Sequence, residues 1–155
     1  MMVTNRSAPV GTIVPSLIYE YVSRATDWLC DTFEFTEVIR WGPEGSPTAQ
    51  LAIGEGAIFV SGPRVGHGSA DRLAFRPPRP HELSHSVMVH VEDVDRHYEH
   101  ARQRGARILL PLETYRFGER QYSAQDLGGH LWTFTQSVAD VAPEEWGATP
   151  AKERS

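Results

Sequence analysis

The stretch Gly118-Glu119-Arg120-Gln121-Tyr122-Ser123-Ala124-Gln125-Asp126-Leu127-Gly128-Gly129-His130-Leu131-Trp132-Thr133-Phe134 decides how the chain folds. It reads as strand, tight turn, strand. Asp126 followed by Gly128 and Gly129 makes the turn, because an aspartate side chain bonds its own backbone and glycine takes positive φ without a Cβ clash. Past the turn the residues alternate: Trp132 and Phe134 on one face, Leu131, Thr133 and Thr135 on the other. That period of two belongs to a sheet lined differently on its two sides. One face is core, and the other is free to line a site.

Upstream, His85 to Val91 alternates in the same way, with Val87, Val89 and Val91 on one face and Ser86, Met88 and His90 on the other. Asp93 caps a helix whose buried stripe is Val94, Tyr98 and Ala101, and Gly105 ends it. Arg107 to Leu110 reads as a short strand and Pro111 to Phe117 as a connector. The first half follows the same order. Val14 to Tyr21 is a strand, and Ser23 is placed to cap a helix carrying Ala25, Trp28, Leu29 and Phe33. Phe35 to Trp41 is a strand closed by Gly42-Pro43-Glu44-Gly45-Ser46-Pro47. Thr48 to Ile53 and Ala57 to Ser61 form a hairpin around Gly54-Glu55-Gly56.

The expected class is therefore α+β: two βαβββ modules, each able to present one sheet face to a shared cleft. Residues 1–11 are expected to be a flexible arm and 12–147 a single domain. Within it lie a module at 12–61, a linker at 62–82, a module at 83–136 and a C-terminal extension at 137–147, where Trp146 packs partially. Residues 148–155 are expected to be a disordered tail. In the linker, Gly66-His67-Gly68-Ser69 and Arg76-Pro77-Pro78-Arg79-Pro80 favour extended chain. His67 reads as a solvated loop residue or a mobile ligand contact.

At 155 residues with 40% hydrophobic and 23% charged residues, the chain can bury a core of ordinary size. A net charge of -5 argues against nucleic acid, whose phosphates require a basic field. Cys30 is the only cysteine, which excludes an intrachain disulfide and a cysteine zinc cluster, and its apolar setting reads as an inert thiol. No apolar run is long enough to cross a bilayer and the N-terminus lacks a signal-peptide pattern, so the expected compartment is cytoplasmic.

Two motifs carry a resemblance. Val89-His90-Val91-Glu92-Asp93-Val94-Asp95, leading into a helix ended by Gly105, and Asp126-Leu127-Gly128-Gly129-His130-Leu131-Trp132 resemble the glyoxalase/bleomycin-resistance, or vicinal oxygen chelate, superfamily over roughly Val14 to Trp146. The form of Phe117-Gly118-Glu119-Arg120-Gln121-Tyr122 is similar to a bacterial branch of it. The resemblance implies paired βαβββ modules, a cleft and a homodimer. Its enzymes hold a divalent metal with His, Gln or Glu and stabilise oxyanions in isomerisation, dioxygenation or epoxide opening. Its resistance proteins sequester a drug without catalytic metal.

Carried over by spacing from Asp93 and Asp126, the family's metal positions fall on Ser86 and Thr133, and in the first module on Val14 and Phe59. None is a normal ligand for a divalent ion. The expectation is thus a small organic ligand in a cleft with no metal cofactor. Its wall would be drawn from Arg40, Gln50, Phe59, Ser86, Met88, His90, Arg120, Tyr122 and Thr133. Arg120 has two readings, a clamp on an anionic group with Glu119 or Tyr122 as acid/base partner, or a structural ion pair. His97 and His100 read as solvated helix surface. A metal-dependent lyase, isomerase or dioxygenase with ligands relocated to His90 and Glu20 is the first alternative, and a structural interaction protein with a filled cleft is the second.

Overall fold

In the computed structural model, which describes residues 3–44, 47–65 and 73–152, the expected order occurs twice. His67 lies outside the described residues. The first module holds β1 (Ser16–Ile18), α1 (Val22–Phe33), β2 (Thr36–Trp41), β3 (Thr48–Ile53) and β4 (Gly56–Ser61). Two short strands in the linker, β5 (Arg64–Val65) and β6 (Ala74–Phe75), pair with each other. The second module holds β7 (Val87–His90), α2 (Val94–Gln103), β8 (Arg107–Thr114), β9 (Glu119–Gln125) and β10 (Leu131–Ser137), followed by a 3-10 turn at Pro143–Trp146. The sheets have matching orders, β1-β4-β3-β2 and β7-β10-β9-β8, with the first strand of each module parallel to the last. No helix among the described residues is long and apolar enough to cross a membrane.

Local chemistry explains most boundaries. The Asp93 carboxylate accepts the Arg96 N–H at 3.1 Å and starts α2. Ser23 does not cap α1. The N-cap is Tyr21, without a side-chain bond, and the Ser23 hydroxyl accepts from Arg40 instead. Pro111 sits inside β8 rather than in a connector. It is tolerated there because β8 is an edge strand whose register shifts around it, so its missing N–H leaves no partner unpaired.

The helices cover one face of each sheet, and one core serves both modules. Leu17, Leu29, Phe33, Leu51 and Val60 of the first cluster with Val94, Ala101, Tyr122, Trp132 and Phe134 of the second. The Phe33 ring lies 4.7 Å from Phe134 and 5.7 Å edge-on from Trp132. Such a fully buried aromatic is worth about 3–5 kcal/mol against truncation to alanine.

His97 belongs to this core and not to the surface expected of it: it is 1% exposed. The Phe33 carbonyl can only accept, so Nε2 donates to it at 3.0 Å, and Nδ1 accepts from the Tyr122 hydroxyl at 2.6 Å. Burial lowers the His97 pKa and raises that of the Tyr122 phenol, so both are neutral in the fold. His100 is half-buried and bonds the Asp31 carbonyl at 2.7 Å.

The Asp126 turn joins the modules as well as β9 to β10. Its Oδ1 accepts the Gly128 and His130 N–H groups at 2.9 and 3.0 Å, and its Oδ2 accepts Trp132 Nε1 at 2.9 Å and the Tyr19 hydroxyl at 2.5 Å. Tyr19 comes from the other module. A Cβ at position 128 would fall 2.5 Å from its ring, so only glycine lets the turn close on it. His130 Nε2 adds a bond to the Ile18 carbonyl at 2.7 Å.

Candidate ligand-binding faces

Each sheet keeps one face turned away from the helices, and register assigns its residues. On the first sheet Ile39, Gln50, Phe59 and Ser16 lie side by side across β2, β3, β4 and β1. Trp41 and Thr48 form the neighbouring row, with the Ser61 hydroxyl 3.5 Å from that of Thr48. This face is aromatic. Trp41 meets Phe59 edge-on with centroids 5.8 Å apart. A cavity of about 270 Å³ opens beside them, lined by Ser16, Trp41, Thr48, Phe59, Ser61 and Arg64. Between Ile39 and Phe59 in this register sits Gln50, 1% exposed, whose amide nitrogen and amide oxygen have no hydrogen-bond partner among the described residues.

The second sheet's open face carries Met88, His90, Thr133, Thr135, Gln121 and Ser123 in register, and it is wired together. Ser123 and Thr133 hydroxyls are 2.8 Å apart, Gln121 donates to Thr135 at 3.1 Å, and Thr135 donates to Glu119 at 3.0 Å. His90 Nδ1 stands 3.8 Å from the same Glu119 carboxylate. Met88 and His90 also border a cavity of about 350 Å³ where β7 approaches Ile13, Pro15 and the Gly54–Gly56 turn.

Register equates positions in the two modules. Thr133 pairs with Met88, two residues after Ser86, and Phe59 pairs with Ser16, two residues after Val14. The positions matched to metal ligands therefore correspond structurally, and their side chains are two hydroxyls, an isopropyl and a phenyl ring. This donor set does not fit a divalent ion. Among the described residues no three His, Cys, Asp or Glu side chains converge elsewhere. The relocated pair is also separated. Glu20 lies with Tyr21, Arg24 and Leu127 at one end of the seam between β1 and β7, and His90 lies at the other end with Ile13 and Pro15.

Gln50, Phe59, Met88, His90 and Thr133 occupy the open faces, and Ser86 is exposed just before β7. Three other candidates point elsewhere. Arg40 pairs with Ala49 on the helix side and forks onto Glu37 at 2.7 and 2.9 Å. Arg120 forks onto Asp95 of α2, both bonds 2.9 Å, which makes it the ion pair and not the clamp. Tyr122 is 1% exposed among core aromatics. Trp41 and Gln121 are further residues of these faces: alternation from Thr133 marks Thr135, but Trp41 and Gln121 lie on other strands and only the pairing register places them.

Residues 13–134 match the sequence model of the Glyoxalase/Bleomycin resistance protein/Dioxygenase superfamily. Among solved structures, TioX from Micromonospora sp. ML1 is 32% identical over 83% of this chain and 99% of its own, with a TM-score of 0.63. The fosfomycin resistance protein FosX from Listeria monocytogenes, complexed with Mn(II) and sulfate, shares the fold at 16% identity and TM-score 0.59, covering 88% of this chain and 96% of that one. A glyoxalase/bleomycin resistance protein/dioxygenase from Nocardioides does so at 16% identity and TM-score 0.60, covering 95% and 91%. None of the curated protein sequences matches.

Proposed function

The chain belongs to the glyoxalase/bleomycin resistance/dioxygenase superfamily, and from that premise we propose that it binds a small organic molecule on its open sheet faces without the superfamily's metal quartet. Its role is sequestration of that molecule or metal-free chemistry on it. The observation that carries this reading is the pairing of non-ligand side chains at all four metal positions with an aromatic cavity at Trp41 and Phe59, next to an amide at Gln50 that has no partner among the described residues. Apolar walls with a few polar groups are the usual make-up of a site for a neutral organic ligand.

A homodimer completes the reading. Ile39, Trp41, Met88 and Leu110 are 38% to 59% exposed, more apolar surface than the open faces need in water, and a second copy would cover part of it. The polar strip from Glu119 to Thr133 supplies orientation, with the Ser123 and Thr133 hydroxyls bonded to each other and Thr135 bonded to the Glu119 carboxylate.

The test is thermal melting of chelator-dialysed, untagged protein with Mn, Ni, Zn or Fe(II) and with a panel of small organic molecules. The expected outcome is a concentration-dependent rise in Tm with at least one organic compound, unchanged by chelator. Stoichiometric metal that survives dialysis and disappears in His90→Ala would replace this reading with a metal enzyme built around His90 and Glu119.

A further inference from the structure

Strand β3 runs between β2 and β4, whose backbones are therefore about 10 Å apart. The rings of Trp41 on β2 and Phe59 on β4 nevertheless stand 5.8 Å apart, so they lean toward each other across β3. On this face Thr48 and Gln50 lie between them, and Gln50 is sealed. Neither of its polar atoms has a partner among the described residues, a costly state for an amide. The equivalent position in the second module is Ser123, since Gln50 pairs with Phe59 as Ser123 pairs with Thr133. Ser123 is bonded at 2.8 Å. The same place in the fold is thus satisfied in one sheet and left open in the other.

An orphaned carboxamide offers an acceptor and donors on one edge. A carboxylate would satisfy only the donors, and a cation only the acceptor. A neutral group that satisfies both along one edge is another amide, N–H beside C=O. Trp41, 47% exposed, lines the cavity of about 270 Å³ and is the half-exposed ring whose rotation would open that cavity toward Gln50. At the rim Arg64 is held over the Phe75 ring at 4.6 Å, and the other lining residues, Ser16, Trp41, Thr48, Phe59 and Ser61, are neutral.

We propose that Gln50 anchors a subsite for a flat, uncharged ring amide, a lactam edge paired to the carboxamide with Trp41 and Phe59 as walls. This rests on the small-molecule reading and names the ligand class within it.

Isoquinolin-1(2H)-one and its N-methyl derivative, which lacks the donor, test it by calorimetry on the full chain. The parent compound binds and the N-methyl compound binds at least about tenfold more weakly, the value of one buried hydrogen bond. In Gln50→Leu the parent loses that advantage and the two bind alike. The comparison on unaltered protein stands even without a variant. Equal binding of both compounds to unaltered protein, or a ratio unchanged in Gln50→Leu, overturns the proposal. If neither binds while other organic compounds raise Tm, the ring-amide assignment falls and the small-molecule reading stands. If nothing raises Tm, both fall.

Discussion

Asp126 and Gln50 are both polar side chains buried inside β structure, at 7% and 1% exposure, and their surroundings differ completely. Asp126 accepts four hydrogen bonds, two from its own turn, one from the Trp132 indole and one from Tyr19 of the other module. Gln50 makes none. A buried polar group with full partners is part of what specifies the fold, and one with no partners is a place where the fold waits for something. The helix-facing interior holds Asp126, His97 and His130, all bonded, whereas the orphan lies on an open sheet face.

Removing each group separates the roles, and the largest effect belongs to Asp126. Asp126→Ala leaves the Tyr19 hydroxyl, the indole N–H and two backbone N–H groups without acceptors, and is expected to cost about 4 kcal/mol or more in urea unfolding. Asp126→Asn keeps the backbone acceptor and should fall between. Gln50→Leu moves in the opposite direction, with stability expected to rise by about 1–3 kcal/mol as an unpaired amide is replaced by a side chain of similar size. A loss of stability there would mean that the amide is already satisfied.

His97 supplies an intermediate effect with a pH signature. Unfolded, its imidazole takes a proton near the ordinary 6.5, but burial holds the folded group neutral until lower pH. Stability is therefore full above that value and falls as pH drops through it, with a slope approaching about 1.4 kcal/mol per pH unit until the folded imidazole also protonates. The Glu34 carboxylate, lowered from 4.5 by its bonds to Arg96, adds its loss only at more acidic pH. His97→Phe should flatten the upper window in chemical denaturation between pH 7.5 and 5.5.

The smallest effect is expected on the second open face. Thr133→Val breaks the bond to Ser123 at a partly solvated site and should cost about 1 kcal/mol or less. A larger loss would move that face from the ligand side of the comparison to the structural side.

Much of the fold was legible because its signals are local. The Asp126-Leu127-Gly128-Gly129 turn, the Asp93 cap and the alternation of Trp132 and Phe134 each specify a conformation within a few residues. His97 escaped because a polar residue was read as surface, although Val94, His97 and Ala101 have the spacing of one helix face. Pro111 was read as a strand end because the edge position that tolerates it depends on sheet order. Arg40 was misplaced because β2 shifts register between Glu37 and Ile39, which breaks a simple count of alternation. Tyr122 was placed on the wrong side although it pairs with Phe134, because strand pairing was not carried from β10 to β9. That Gln50 is buried without a partner among the described residues is a fact of three-dimensional packing with no local signature.

The central claim is that the first sheet's open face binds a small organic ligand through Gln50. The most direct measurement is the NMR signal of the Gln50 side-chain amide, assigned by its disappearance in Gln50→Leu and followed while isoquinolin-1(2H)-one is titrated into chelator-dialysed protein. The account predicts that this pair of resonances shifts downfield and saturates as the amide gains its partner, together with the Trp41 indole. Saturable shifts confined to Gln121 and Gln125 on the second sheet, with Gln50 unmoved, would contradict it.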